Sequence, residues 1–158
     1  MLYVDRQYDR AIAQLQKTIE THPRFWIRHN WLGLIASRLG EHSEAVSECS
    51  RAVELSGDLP LAVASLGHVQ ALSGDRDGAT RTLERLMDLS KRRYVMPYGM
   101  ALVYSGMGDQ ERTLEWLERG CAEHGSLMCF LSVDPSFEVL WPHPRFQDLL
   151  RRVGLPSR

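Results

Sequence analysis

The feature that most constrains this chain is a register that returns every 34 residues without a gap. Ala11, Ala45, Ala79 and Thr113 keep that spacing, and so do Gly40, Gly74 and Gly108. The pairs Leu32-Gly33, Leu66-Gly67 and Met100-Ala101 follow it, as does the row Leu15, Cys49, Leu83 and Leu117. A period of this length marks one supersecondary unit used repeatedly, each copy burying its apolar face on the next.

Each unit reads as two helices. In the second unit they are expected over about 25–38 and 42–55, and an earlier helix of the second kind over about 8–21. Gly40 fits the turn between the two, where a left-handed residue is cheap only as glycine. Gly33 and Gly67 fall inside helices, at a cost of about 1 kcal/mol each against alanine. That cost predicts a neighbouring helix close enough to exclude a Cβ, and the small Ala45 and Ala79 fit the same contact. Asp58 is expected to cap the next helix, with Pro60 in its first turn. Pro97 is expected to start its helix late. The glycines do not make a phosphate loop, because Gly33 and Gly40 are followed by Leu34 and Glu41 rather than by Lys and Ser or Thr.

After Gly125 the pattern changes. Asp134-Pro135 reads as a cap and a first helical residue. Pro144 starts a further helix with Phe146, Leu149, Leu150 and Val153 on one face, ended by Gly154 and Pro156. An atypical last element of this kind is what a stack of repeats needs to cover its final apolar face.

The period, the Leu-Gly pair, the turn glycine, the alanine and the next apolar residue together resemble the tetratricopeptide repeat family. The resemblance implies an all-α fold: a right-handed α-solenoid of helix-turn-helix repeats with a helical C-terminal cap. It assigns an array to 1–125, with a half repeat at 1–24 and full repeats over about 26–59, 60–93 and 94–127, and a capping segment to 126–158. The sequence departs from the family at its first-helix aromatic, here His29, Val63 and Pro97, and at its later tyrosine, here Ala36, Gln70 and Tyr104. Its closing proline is present only as Pro23. The tail residues Val133, Asp134, Pro135, Phe137, Leu140, Pro144, Arg145, Phe146, Leu149, Leu150, Arg151, Arg152, Gly154 and Leu155 resemble the end of the C-terminal arrays of bacterial multidomain signalling proteins. Those arrays follow winged-helix regulators, nucleotide cyclases or Ser/Thr kinases. The resemblance implies a regulatory, non-catalytic protein-interaction module that binds a protein or peptide.

Composition narrows the classes of partner. A net charge of −1 favours neither nucleic acid nor an anionic membrane. No apolar run approaches the roughly 18 residues that span a bilayer. Cys49, Cys121 and Cys129 are odd in number and widely spaced, which fits a reducing, cytoplasmic setting. No cofactor, metal or catalytic residue is assigned. Cys121, His124 and Cys129 are the nearest approach to a metal set, and they lack the tight spacing of one. The acids of the second helices lie near helix starts, where they complement the dipole.

Two surfaces are candidates for function. In the repeat family the first helices line a concave groove, and its register points to Asn30, Trp31, Leu34, Arg38, His68, Tyr98 and Leu102. These residues suit an apolar helix or extended segment; Trp31 is equally consistent with packing between repeats. The other surface is the stripe Ala11, Leu15 and Thr18. It is expected to be covered either by an upstream segment of a longer protein or by a second copy in a homodimer. An enzyme using residues not paired above is the third alternative.

Overall fold

A computed structural model of the chain describes residues 7–21 and 24–156. Among these residues the fold is all-α, with no strand. In order, the helices are α1 (Tyr8–Thr21), α2 (Trp26–Arg38), α3 (His42–Ser56), α4 (Pro60–Leu72), α5 (Arg76–Ser90), α6 (Pro97–Gly106) and α7 (Gln110–Ala122). Two short 3₁₀ helices follow, Ser126–Phe130 and Pro135–Leu140, and then α8 (Pro144–Val153).

The helices pack as antiparallel neighbours, α2 with α3, α4 with α5 and α6 with α7. α3, α5 and α7 begin at His42, Arg76 and Gln110, the sequence register carried into space. α4 also touches α2 on one side and α6 on the other, so these three form an inner layer. Their burial shows it. Ala62 to Val69 of α4 and Pro97 to Tyr104 of α6 are buried without interruption. α5 and α7 bury only one stripe each and leave the rest to solvent, as expected for helices with one side on a core.

Local signals set the helix ends. Gly40, Gly74 and Gly108 have φ values of +80°, +89° and +76° in the turns between paired helices. Asp75 and Asp109 cap α5 and α7, accepting from the amides of Gly78 at 2.9 Å and Arg112 at 3.0 Å. Pro60, Pro97, Pro135 and Pro144 all open helices, where the missing N–H costs nothing. Asp58 does not cap α4. The chain leaves α3 through two left-handed residues, Gly57 and Asp58, and Asp58 instead accepts from Arg85 Nη2 at 2.6 Å. The residue before α4 is Leu59, whose amide is taken by Ser56 Oγ at 3.3 Å.

Gly33 and Gly67 sit where helices touch. A Cβ on Gly33 would overlap Cys49 Sγ and stand 2.8 Å from the carbonyl oxygen of Ala45 on α3. One on Gly67 would meet Thr82 Cγ2 at 2.7 Å and Val103 Cγ2 at 3.0 Å. Ala45 and Ala79 are wholly buried.

At the C-terminal end Phe137, Leu140, Phe146, Leu149 and Leu150 form one core with Tyr98, Leu102, Leu114 and Leu117. Arg145 fastens α8 to α7. Its Nε and Nη2 donate to Glu118 at 2.8 and 2.9 Å, and Nη1 to Glu111 at 2.6 Å. That fork geometry is specific to arginine, and it holds the Glu118 carboxyl below the usual carboxylate range.

Candidate functional site

The inner layer presents its side chains at i, i+4 spacing, which places them on one face of each helix. α2 contributes Asn30, Trp31 and Leu34; α4 contributes Leu61 and Ser65; α6 contributes Tyr98 and Leu102. These seven converge on one pocket of about 120 Å³. Five of them, Asn30, Trp31, Leu34, Tyr98 and Leu102, are residues that the register assigned to a groove.

The pocket's outer wall is the segment that follows α7. Leu127, Phe130, Asp134 and Ser136 close it. This wall is pinned at several points. Tyr98 Oη donates to Asp134 Oδ2, and Ser105 Oγ donates to the carbonyl of Ser136 at 2.7 Å. The Tyr98 and Phe137 rings meet edge to face, with centroids 5.4 Å apart. Arg38 Nη1 lies 3.7 Å from Glu138 Oε1. Asp134 also caps the Pro135–Leu140 helix, accepting from Ser136 N at 2.8 Å. The segment read as an end cap therefore also lies across part of the α2–α4–α6 face. No sequence pattern pairs Asp134 with Tyr98; the local Asp-Pro signal accounts only for the cap.

Two expected groove residues are placed elsewhere. His68 is buried, and its Nδ1–H donates to the carbonyl of Leu102 at 2.8 Å. The cause is the close seating of α6 on α4. Gly99 and Gly106, two turns apart, admit Ala64 and the His68 backbone, and a Cβ at Gly106 would stand 2.7 Å from the His68 carbonyl oxygen. The imidazole is thereby enclosed, and burial pushes its pKa down to about 4. Arg38 is turned to Glu138 on the closing segment and is not part of the pocket wall.

The pocket is apolar with polar points. Asn30 and Ser65 are only 5% and 1% exposed, yet Asn30 Oδ1 and Ser65 Oγ have no hydrogen-bond partner. Leaving such a group unpaired costs about 1–3 kcal/mol. Among the described residues Asp134 is the one charged side chain on the wall, and Trp31, Tyr98 and Phe130 supply aromatic side chains. Such a cavity, mostly hydrocarbon with a few placed polar atoms, has the composition of a ligand site.

The N-terminal stripe is less open than its pattern suggests. Ala11 is buried, and Ile12 and Leu15 are half-buried against the core through α2. The side chain of Thr18 lies outside the described residues, as do residues 1–6 and Pro23. Cys121, His124 and Cys129 border one surface depression together with Arg152 and Val153. No cluster of three or more His, Cys, Asp or Glu arranged to hold a metal ion occurs among the described residues. Among them, no helix is long and apolar enough to cross a membrane. No protein-family model matches the chain, and no curated protein matches its sequence.

Proposed function

We propose that this chain is a non-catalytic protein-interaction module, a right-handed solenoid of tetratricopeptide-type hairpins that receives an apolar peptide segment on the α2–α4–α6 face. The repeat boundaries proposed are about 26–59, 60–93 and 94–127, with a half repeat before them and the cap over 126–158. The 34-residue spacing of the starts of α3, α5 and α7 supports that division. The observation that carries the function is convergence: Asn30, Trp31, Leu34, Tyr98 and Leu102, from helices far apart in sequence, line one apolar pocket. The resemblance of the tail suggests a regulatory role within bacterial signalling in the cytoplasm.

Affinity selection from a random peptide library on the whole chain tests this reading. Selected peptides are expected to carry an aliphatic or aromatic residue and to weaken by at least about 1 kcal/mol, roughly fivefold, on Trp31→Ala. Peptides that bind wild type and Trp31→Ala equally would refute the placement of the site.

A further inference from the structure

We propose that Cys121 and Cys129 are a redox pair that closes to a disulfide by exchange with an anionic small-molecule disulfide, and that closure moves the outer wall of the pocket. This goes beyond the reading of the α2–α4–α6 face as a binding surface.

The three cysteines are not equivalent. Cys49 has no exposed surface and lies against Gly33 between α2 and α3. Cys121 is half-buried, Cys129 is exposed, and both border one surface depression. The chain folds back to bring them there. After α7 it turns through left-handed His124, and the Gly125 amide donates to the Gly120 carbonyl at 2.9 Å. Met128 then packs on Gly120, its Sδ 2.9 Å from where a Cβ would stand. Cys121 and Cys129 each follow one member of that contact. Cys129 Sγ donates only to the carbonyl of Ser126, at 3.1 Å, and a thiol is a weak donor.

Charge and size select the reagent. The depression, about 570 Å³, has room for a tripeptide. Arg152 borders it, and among the described residues no acidic side chain does. Glu118, a carboxylate that feels Arg152, is already held by Arg145 Nε and Nη2. This favours an anionic disulfide such as oxidised glutathione. The Cys129 thiolate attacks one of its sulfurs and releases one glutathione thiolate, which takes up a proton. The Cys121 thiolate then attacks Cys129 Sγ in the mixed disulfide and releases the second. Two protein thiols are oxidised to one disulfide, and the small disulfide is reduced to two thiols. In a reducing setting the pair rests as thiols and closes under oxidative load.

Closure reaches the pocket through helix geometry. In a 3₁₀ helix, residues three apart share an edge. In Ser126–Phe130 the residues Ser126 and Cys129 border the depression, and Leu127 and Phe130 wall the pocket. A disulfide needs its Cβ atoms about 4 Å apart. Drawing Cys129 toward the end of α7 therefore shifts Leu127 and Phe130 against Trp31 and the rest of the inner layer.

Incubation of the reduced full chain with oxidised glutathione, tryptic digestion without reductant and mass spectrometry test the proposal. Cys121 and Cys129 share the tryptic peptide 120–145, and Cys49 lies on another. The shared peptide is expected to lose two hydrogens while Cys49 stays a thiol. Cys121→Ser is expected to stop at a stable glutathione adduct on Cys129. Arg152→Gln is expected to slow the reaction at least about threefold with oxidised glutathione at low salt, and not with neutral hydroxyethyl disulfide. In NMR spectra the Trp31 indole N–H signal, assigned through Trp31→Phe, is expected to shift on oxidation of wild type and to stay in place in the identically treated Cys121→Ser/Cys129→Ser chain. An adduct that persists on Cys129 in wild type, or no reaction there, overturns the pair. Equal slowing of both reagents by Arg152→Gln overturns the anion preference, and an unmoved Trp31 signal overturns the reach to the pocket. None of these readouts needs a peptide, so their failure leaves the groove reading standing, and a failed peptide selection leaves the redox pair standing.

Discussion

Replacing Gly33 by alanine sets two effects of known sign against each other. In an isolated helix the change is favourable by about 1 kcal/mol, because alanine restricts the unfolded chain and suits the helix. In this protein the new methyl would overlap Cys49 Sγ and lie 2.8 Å from the Ala45 carbonyl oxygen and 3.0 Å from the Cys49 amide nitrogen. Two of these three atoms are backbone of α3, and the third belongs to a side chain with no exposed surface. A rotamer change cannot relieve the contact; α3 must move away from α2. Overpacking of this kind costs typically about 1–3 kcal/mol and occasionally more, and loosening the contacts around Ala45 and Cys49 adds to it. The net expectation is a loss of about 1–2 kcal/mol, seen as a lower urea midpoint at unchanged slope and a Tm lower by roughly 2–8 °C. The double variant Gly33→Ala/Cys49→Ala relieves only the sulfur overlap, so it is expected to recover part of the loss and not all. A Gly33→Ala protein as stable as wild type, or more stable, would refute the claim that helix-to-helix contact is what requires glycine there.

Three further outcomes follow from the same geometry. His68 has a native pKa near 4 against its ordinary 6.5, so the native state binds fewer protons than the unfolded one. Its contribution is full above about pH 6.5 and is lost as pH falls toward 4. The loss amounts to about 3 kcal/mol, and His68→Asn is expected to flatten the stability profile over that window in urea titrations. Iodoacetamide followed by mass spectrometry is expected to label the exposed Cys129 first and Cys49 only on unfolding, because burial, with the Glu48 carboxylate adding, pushes the Cys49 thiol up. Prompt native-state labelling of Cys49 would contradict its burial. Arg145→Met is expected to cost about 1 kcal/mol by thermal melting at low salt and less at high salt, since the Arg145 fork to Glu118 and Glu111 is partly solvated.

What could be read from the sequence was whatever depends on near neighbours. Helix bounds, the turns at Gly40, Gly74 and Gly108, the cap at Asp134-Pro135 and the last helix at Pro144 each rest on residues within a turn or two of one another. The excluded Cβ at Gly33 could be read as well, because a costly glycine inside a helix requires a compensating contact. Asp58 shows where local logic fails: the type of residue suited a cap, but the exit from α3 demanded left-handed backbone there, and Arg85 took the carboxylate.

Tertiary structure decided which side chains the register's inner face actually presents. His68 and Leu102 lie one period apart and share a hydrogen bond, yet only Leu102 lines the pocket, because Gly99 and Gly106 let α6 settle onto α4. The closing segment was decided there too. Its attachments, Tyr98 to Asp134 and Ser105 to Ser136, join residues more than thirty positions apart and follow no period. Periodicity encodes what each helix buries against its repeated neighbours. It carries no record of a unique segment returning across them, and that return is what turns an open face into a pocket with Asn30 and Ser65 inside.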